Sequence, residues 1–164
     1  MSEPRNSTLV FLVTKENNNI IRICLAMKKR GFGKGRWNGA GGKVEPGETI
    51  EAAAKREAEE EISVSPENME KVAELAFTFP HNPAFDQLVH VYLCEEWGGE
   101  IAESEEMRPE WFLIEEIPYK DMWPDDEFWL PFVVKGEKVR GAFTFGEGDV
   151  VEKQQVETVS DFSS

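Results

Sequence analysis

The stretch at residues 42–64, GKVEPGETIEAAAKREAEEEISV, limits what this chain can fold into more than any other. It opens at the glycine pair Gly41-Gly42, turns at Pro46-Gly47 and then reads as a helix. Thr49 is the expected N-cap, and Glu51 in the first turn favours the positive helix end. Wound at about 100° per residue, Ile50, Ala53, Ala54, Glu57, Ala58 and Glu61 share one broad face, with Glu60 at its edge. Three carboxylates therefore crowd the side whose alanines should pack inward.

That crowding is unfavourable. Glu57, Glu60 and Glu61 stand at i, i+3 and i+4, where like charges destabilise by roughly 0.2–0.5 kcal/mol per pair. They also lie toward the helix C-terminal end, where the dipole disfavours anions. An acidic run is ordinarily a solvated helix face, but these carboxylates sit on the alanine side. A divalent cation resolves both conflicts, and hard oxygen ligands suit Mg²⁺ or Mn²⁺.

Composition narrows the partners. A formal net charge of -14 leaves no overall basic footprint for a nucleic-acid polymer, but it does not exclude one small polyanion held through metal ions. The chain reads as a single domain over 1–164 with an ordered core at about 8–159, long enough for a sizeable core. Cys24 and Cys94 lie far apart in apolar runs and read as buried free thiols, with a disulfide as the alternative. The apolar run at 9–13 is too short for a signal peptide or membrane span. The expectation is a soluble, monomeric, cytoplasmic protein with no membrane partner.

Along the chain, residues 1–7 read as a loose polar lead-in. Residues 8–13 (TLVFLV) and 20–27 (IIRICLAM) form a hairpin across an asparagine-rich turn. Residues 28–43, KKRGFGKGRWNGAGGK, hold Lys28, Lys29, Arg30, Lys34, Arg36 and Lys43 with no acid, a concentration of positive charge suited to phosphate. Val44 follows Gly42-Lys43 where a Walker A loop requires Ser or Thr. Residues 72–79 and 88–94 are strands, the first putting Phe77 and Phe79 on one face, and His90 reads as a core histidine. With only His81 and His90 present and the cysteines apart, a zinc site is rejected. Trp111 to Ile114 (WFLI) reads as a short buried run. Pro124-Asp125-Asp126 reads as a helix start with proline at the first position, and Pro131 as a kink or early stop. Final strands are expected at 138–145 and 150–159, with 160–164 frayed. The order of elements suggests an α+β or mixed-sheet sandwich.

The spacing of Gly42, Glu48, Arg56, Glu57, Glu60 and Glu61 resembles the Nudix box, G-x5-E-x7-R-E-U-x-E-E-x-G-U, with U a bulky aliphatic. Ala58 stands where the box has an aliphatic, and Ser63 stands where it has glycine, which puts an αL helix stop in doubt. The segments KKRGFGKGRWNG, EMRPEWF and PYKDMWPDDEFW extend the likeness to the MutT-homologue branch of the Nudix hydrolases. The resemblance implies a mixed sheet between helices and Mg²⁺-dependent hydrolysis of oxidised purine nucleoside triphosphates, such as 8-oxo-dGTP and 2-hydroxy-dATP. It implies metal binding by the Gly41 carbonyl, Glu57, Glu60, Glu61 and Glu106, with Arg56 orienting the helix carboxylates. It implies substrate contacts from Thr8 and Lys28, base reading by Asn38, Asp125 and Asp126, and walls from Phe32, Phe77 and Trp123. Gln87 stands where the branch carries a methionine against the purine. Glu61 and Glu106 are both candidates for the general base. A Nudix hydrolase for another nucleotide derivative, or a nucleotide sensor without turnover, is the alternative.

Overall fold

The computed structural model describes residues 4–163. Its elements are β1 (Arg5–Glu16), β2 (Asn19–Lys28), β3 (Trp37–Asn38), α1 (Ile50–Ile62), β4 (Ser65–Pro66), β5 (Met69–Thr78), β6 (Gln87–Cys94), β7 (Trp97–Gly98), β8 (Met107–Leu113), α2 (Asp126–Val134), β9 (Lys138–Phe145) and β10 (Val151–Val159). The large sheet runs β10-β9-β5-β6-β1-β2-β3, with β8 also paired to β2. It is mixed: β1 pairs parallel with β6, and β5 parallel with β9, while the other neighbours are antiparallel. The small strands β4 and β7 form a separate pair.

β1 explains the layering. Successive side chains point to opposite faces, and this strand is apolar on both. Val10 and Leu12 pack with Ala54, Ala58 and Ile62 of α1. Phe11 and Val13 join Trp129, Leu130 and Val133 of α2 on the other face. An uninterrupted apolar run such as TLVFLV is what a strand covered on both sides needs. Burying each large side chain contributes roughly 1.5–3 kcal/mol. The result is the mixed sheet between helices that the sequence suggests.

Several local expectations need correction. Arg5 to Ser7 are not a loose lead-in: they belong to β1, pair with β6, and Ser7 is buried. The first three residues of that expected lead-in lie outside the described ones. The β1–β2 hairpin turns on Asn17 and Asn18 alone, at φ 51° and 66°, the left-handed values a tight two-residue loop requires. The WFLI run is not buried, because β8 borders only β2 and leaves Trp111 and Leu113 exposed. Pro124 precedes the second helix instead of starting it, and the helix passes Pro131 and ends at Val134. Residues 160–163 are not frayed: the Phe162 carbonyl accepts from Arg140 at 3.1 Å, and Lys71 Nζ lies 5.2 Å from the Phe162 ring centroid. Ser164 lies outside the described residues. His90 is a core histidine, its ring nitrogens 2.9 Å from Lys71 Nζ and 3.0 Å from Asn6 Oδ1. Cys24 and Cys94 are buried and free.

Candidate active site

The acidic helix forms one end of the site. Thr49 caps it, its hydroxyl accepting from the Ala52 N–H at 3.1 Å. Ser63 takes the left-handed conformation, φ 64° and ψ 28°, and donates its N–H to the Glu59 carbonyl. The αL stop survives without glycine because packing around the helix end offsets the modest cost of a Cβ there. Ala53, Ala54 and Ala58 have no exposed surface, so the helix lies close on the sheet, and Ala58 packs among Val10, Leu12 and Ile62 where the box has a bulkier residue.

Burial grades the three carboxylates. The Glu61 residue is 6% exposed, while the Glu57 and Glu60 side chains are 15% and 58% exposed. Glu61 Oε1 accepts the Gly41 N–H at 2.8 Å. Burial pushes the Glu61 carboxyl up to about 7 against that hydrogen bond, with the charges of Glu57 and Glu106 adding to the rise. Burial also raises Glu57. Both glycines of the pair are required by close approach. A Cβ at Gly41 would lie 1.7 Å from the Thr8 carbonyl oxygen, and one at Gly42 would lie 2.7 Å from the Glu57 carboxyl.

Arg56 binds this end together. It meets Glu48 bidentately at 2.7 and 2.9 Å, Glu57 at 2.9 Å, Glu60 at 3.3 Å and the Lys43 carbonyl at 3.1 Å. Its hydrogen bonds hold the Glu48 carboxyl down to about 2. Among the described residues, no three His, Cys, Asp or Glu side chains close into a finished metal cage. The donor set still suits a hard divalent cation: two partly desolvated carboxylates with raised proton affinity stand beside a third, over a backbone stripped of side chains.

The basic stretch differs from expectation. Lys28 pairs with Glu106 at 2.7 Å, Arg30 with Glu106 at 3.1 Å, and Lys29 with Glu103. Antiparallel β2 and β8 place Lys28 opposite Met107, which brings the acidic loop onto the basic one. Much of the positive charge is therefore neutralised locally. Lys28 holds the Glu106 carboxyl below its usual range.

From the acidic helix a cavity of about 290 Å³ runs toward α2. It brings together Thr8, Lys28, Phe32, Asn38, Gly41, Glu61, Phe77, Gln87, Trp123, Asp125 and Asp126. Glu57, Glu60, Glu106 and Arg56 do not line it, but Glu57 and Glu106 both act electrostatically on Glu61. The Asn38 amide oxygen accepts from Gly39 N–H at 2.9 Å. Gln87 turns its amide onto the Phe85 carbonyl at 3.1 Å while remaining on the cavity wall.

Asp125 and Asp126 close the far end, 1% and 3% exposed. Asp125 precedes the helix yet caps nothing; its Oδ2 accepts the Trp129 indole N–H at 2.8 Å. Asp125 Oδ1 and Asp126 Oδ2 are buried without a hydrogen-bond partner. Burial raises both carboxyls, Asp126 well above the ordinary range because the neighbouring Asp125 adds to the effect. Two adjacent buried carboxyls hold one proton between them more readily than two charges.

The aromatic wall is larger than the sequence indicated. Phe79 stacks on Phe145 at 4.9 Å, and both line the cavity with Leu9, Met107 and Arg36. Strand alternation marked Phe79. Phe145 arrives through the parallel β5–β9 pairing, which no local pattern announces.

The NUDIX domain model matches residues 3–132. An oxidized purine nucleoside triphosphate hydrolase from Mus musculus is 43% identical over 162 residues, 99% of this chain and 100% of the mouse protein. A protein of the same name from Danio rerio is 43% identical over 140 residues, 85% of this chain and 89% of its own. A MutT protein structure from Bacillus halodurans superposes with a TM-score of 0.79 at 22% identity, over 93% of this chain and 97% of that one, a likeness of fold. Nudix hydrolases act on small nucleotides and generally use divalent cations. Among the described residues, no helix is long and apolar enough to cross a membrane. By its family match, its box residues and its α+β fold, the chain belongs to the Nudix family and is a Nudix hydrolase.

Proposed function

We propose that the chain hydrolyses oxidised purine nucleoside triphosphates, 8-oxo-dGTP and 2-hydroxy-dATP among them, to the monophosphate and pyrophosphate in the presence of Mg²⁺. The observation that carries this reading is the pair of unpartnered buried oxygens on Asp125 and Asp126, in an aromatic cavity that leads to the acidic helix. An orphaned buried polar atom costs free energy unless a ligand completes it. Oxidation at C8 turns guanine N7 from an acceptor into an N–H donor. A carboxylate oxygen accepts from that donor and repels the lone pair of the ordinary base. A pair sharing one proton offers an acceptor and a donor together, which also suits an oxidised adenine. The names of the mouse and zebrafish relatives support the same substrate class.

At the other end Glu57, Glu60, Glu61, the Gly41 carbonyl and Glu106 would hold Mg²⁺, with Mn²⁺ as a substitute. When bound, the metal supplies neutralisation of phosphate charge. Arg56 keeps the helix carboxylates oriented toward the loop through Glu48. Lys28 borders the phosphate end, and Thr8 and Asn38 line the path between the two ends. Of the two candidate bases, Glu106 is tied to both Lys28 and Arg30, whereas Glu61 faces the cavity with a backbone N–H on one oxygen. We assign the proton of the attacking water to Glu61. The buried free thiols support a reducing, cytoplasmic setting.

Product chromatography with 8-oxo-dGTP and dGTP in Mg²⁺ tests this. Release of pyrophosphate, with kcat/KM higher for the oxidised base, is expected. Equal rates on both bases, or no turnover of either, would contradict it.

A further inference from the structure

Arg36 lies on the cavity wall, and nothing in the proposed chemistry uses it. Its guanidinium carbon stands 4.1 Å from the Trp123 ring centroid, the stacked geometry of a cation–π contact. Its Nη1 donates to Asp149 Oδ2 at 3.2 Å. Three segments far apart in sequence therefore meet in one line: the glycine-rich loop before β3, the loop before α2, and the β9–β10 turn.

We infer that Asp149, acting through Arg36, positions Trp123 against the purine and so sets how sharply the site separates oxidised from ordinary bases. This rests on the nucleotide reading above. Asp149 is built to point one way: Gly148 and Asp149 are both left-handed, at φ 72° and 61°, and the Asp149 N–H closes the turn on the Gly146 carbonyl at 3.2 Å. A non-glycine residue enters that region at some cost, and Asp is one of the few that enter readily. Trp123 is hemmed on its other sides by Phe32 at 5.0 Å and Phe145 at 5.8 Å, and a Cβ at Gly33 would lie 3.2 Å from its indole nitrogen. The Arg36 stack adds a cation–π contact to that ring.

The Trp123 carbonyl accepts the Asp126 N–H at 3.0 Å, so the backbone that carries the wall is fixed against the backbone that carries the base-reading carboxyls. The Arg36 charge is also felt at both Asp125 and Asp126. An ion pair whose side chains are 28% and 40% exposed contributes little to stability, so its effect falls on selectivity.

The test compares kcat and KM for 8-oxo-dGTP and dGTP in wild type, Asp149→Asn and Asp149→Gly at saturating Mg²⁺, with thermal unfolding alongside. Asp149→Asn is expected to raise KM for 8-oxo-dGTP about two- to fivefold, the scale of one partly exposed cation–π contact. kcat and the unfolding temperature should hardly move, the ratio of kcat/KM between the two bases should fall, and Asp149→Gly, which keeps the left-handed backbone without a carboxylate, should show the same change. If wild type prefers 8-oxo-dGTP and Asp149→Asn keeps the same KM and ratio, the inference is overturned alone. It is likewise overturned if Asp149→Asn lowers kcat on both bases equally, or if Asp149→Gly keeps the KM and ratio of wild type. A wild type without preference for the oxidised base overturns the functional reading and this inference with it.

Discussion

The cavity has a group of acids at each end, and the two groups have opposite fates. On α1, Glu57, Glu60 and Glu61 are graded from buried to exposed, and Arg56 reaches two of them. At the start of α2, Asp125 and Asp126 are buried, with the Trp129 indole on one oxygen and two oxygens left bare. The first group suits a cation, because its members stay close enough to repel and open enough to be reached. The second suits a proton, because burial penalises charge and, among the described residues, no basic side chain forms an ion pair with either carboxyl. Carboxylate chemistry is the same in both. Burial and neighbours divide the labour.

The largest effect should come from Glu60→Gln. Removing one charged group from a catalytic site costs about 10²–10³ in turnover. Glu60 is largely exposed and its contact with Arg56 is long, so stability should shift by less than about 0.5 kcal/mol. Steady-state kinetics in Mg²⁺ and urea unfolding check both halves.

Asp126→Asn probes the other end. Losing a buried group that can both donate to and accept from the base should lower kcat/KM for 8-oxo-dGTP about 10- to 100-fold, with metal affinity unchanged. Its stability effect has a definite sign. The folded-state Asp126 carboxyl is raised, so the native protein keeps a proton that the unfolded chain releases. Wild-type stability therefore declines as pH rises from the unfolded aspartate value, near 4, toward the folded one. Asparagine removes that slope, so the variant should gain on wild type as pH increases. Urea unfolding at a series of pH values from 4.5 to about 8 measures it. A gap between the proteins that stays constant with pH would mean the site is not desolvated.

Arg56→Lys sharpens the comparison from the supporting side. A lysine cannot repeat the bidentate bond to Glu48. Turnover should drop about tenfold, the scale of an outer group that orients ligands. The preference between bases should stay intact, which the same two-substrate kinetics would show.

How much of this was legible depended on distance along the chain. The acidic helix, its Thr49 cap and its Arg56 clasp are written within residues 42–64, and the helix forms as read. Asp125 and Asp126 were visible as a pair, but adjacency alone suits helix capping. Only the fold shows that Asp125 turns to Trp129. What escaped reading lies in long-range register. The acidic loop reaches Lys28 and Arg30 because β2 and β8 align, and Phe145 reaches the cavity because β5 and β9 run parallel. The exposed face of β8 was misread for the same cause, since composition does not say which strand lies at an edge.

Gln87→Met should have the smallest effect. Gln87 lies on the wall with its amide on the Phe85 carbonyl. An apolar side chain there should lower KM for oxidised purine triphosphates by about two- to fivefold at unchanged kcat, the pattern of uniform binding. An unchanged KM would mean that Gln87 takes no part in holding the base.

The division of labour itself is tested most directly by one cross. kcat and KM are measured for Glu60→Gln and Asp126→Asn, each on 8-oxo-dGTP and dGTP, across a Mg²⁺ titration. Glu60→Gln should lower turnover of both substrates by one common factor and shift the Mg²⁺ dependence, leaving the preference between bases as it was. Asp126→Asn should collapse that preference while the Mg²⁺ dependence stays that of wild type. A Glu60→Gln enzyme with altered base preference, or an Asp126→Asn enzyme weakened equally on both bases, would contradict the separation of the two acid groups.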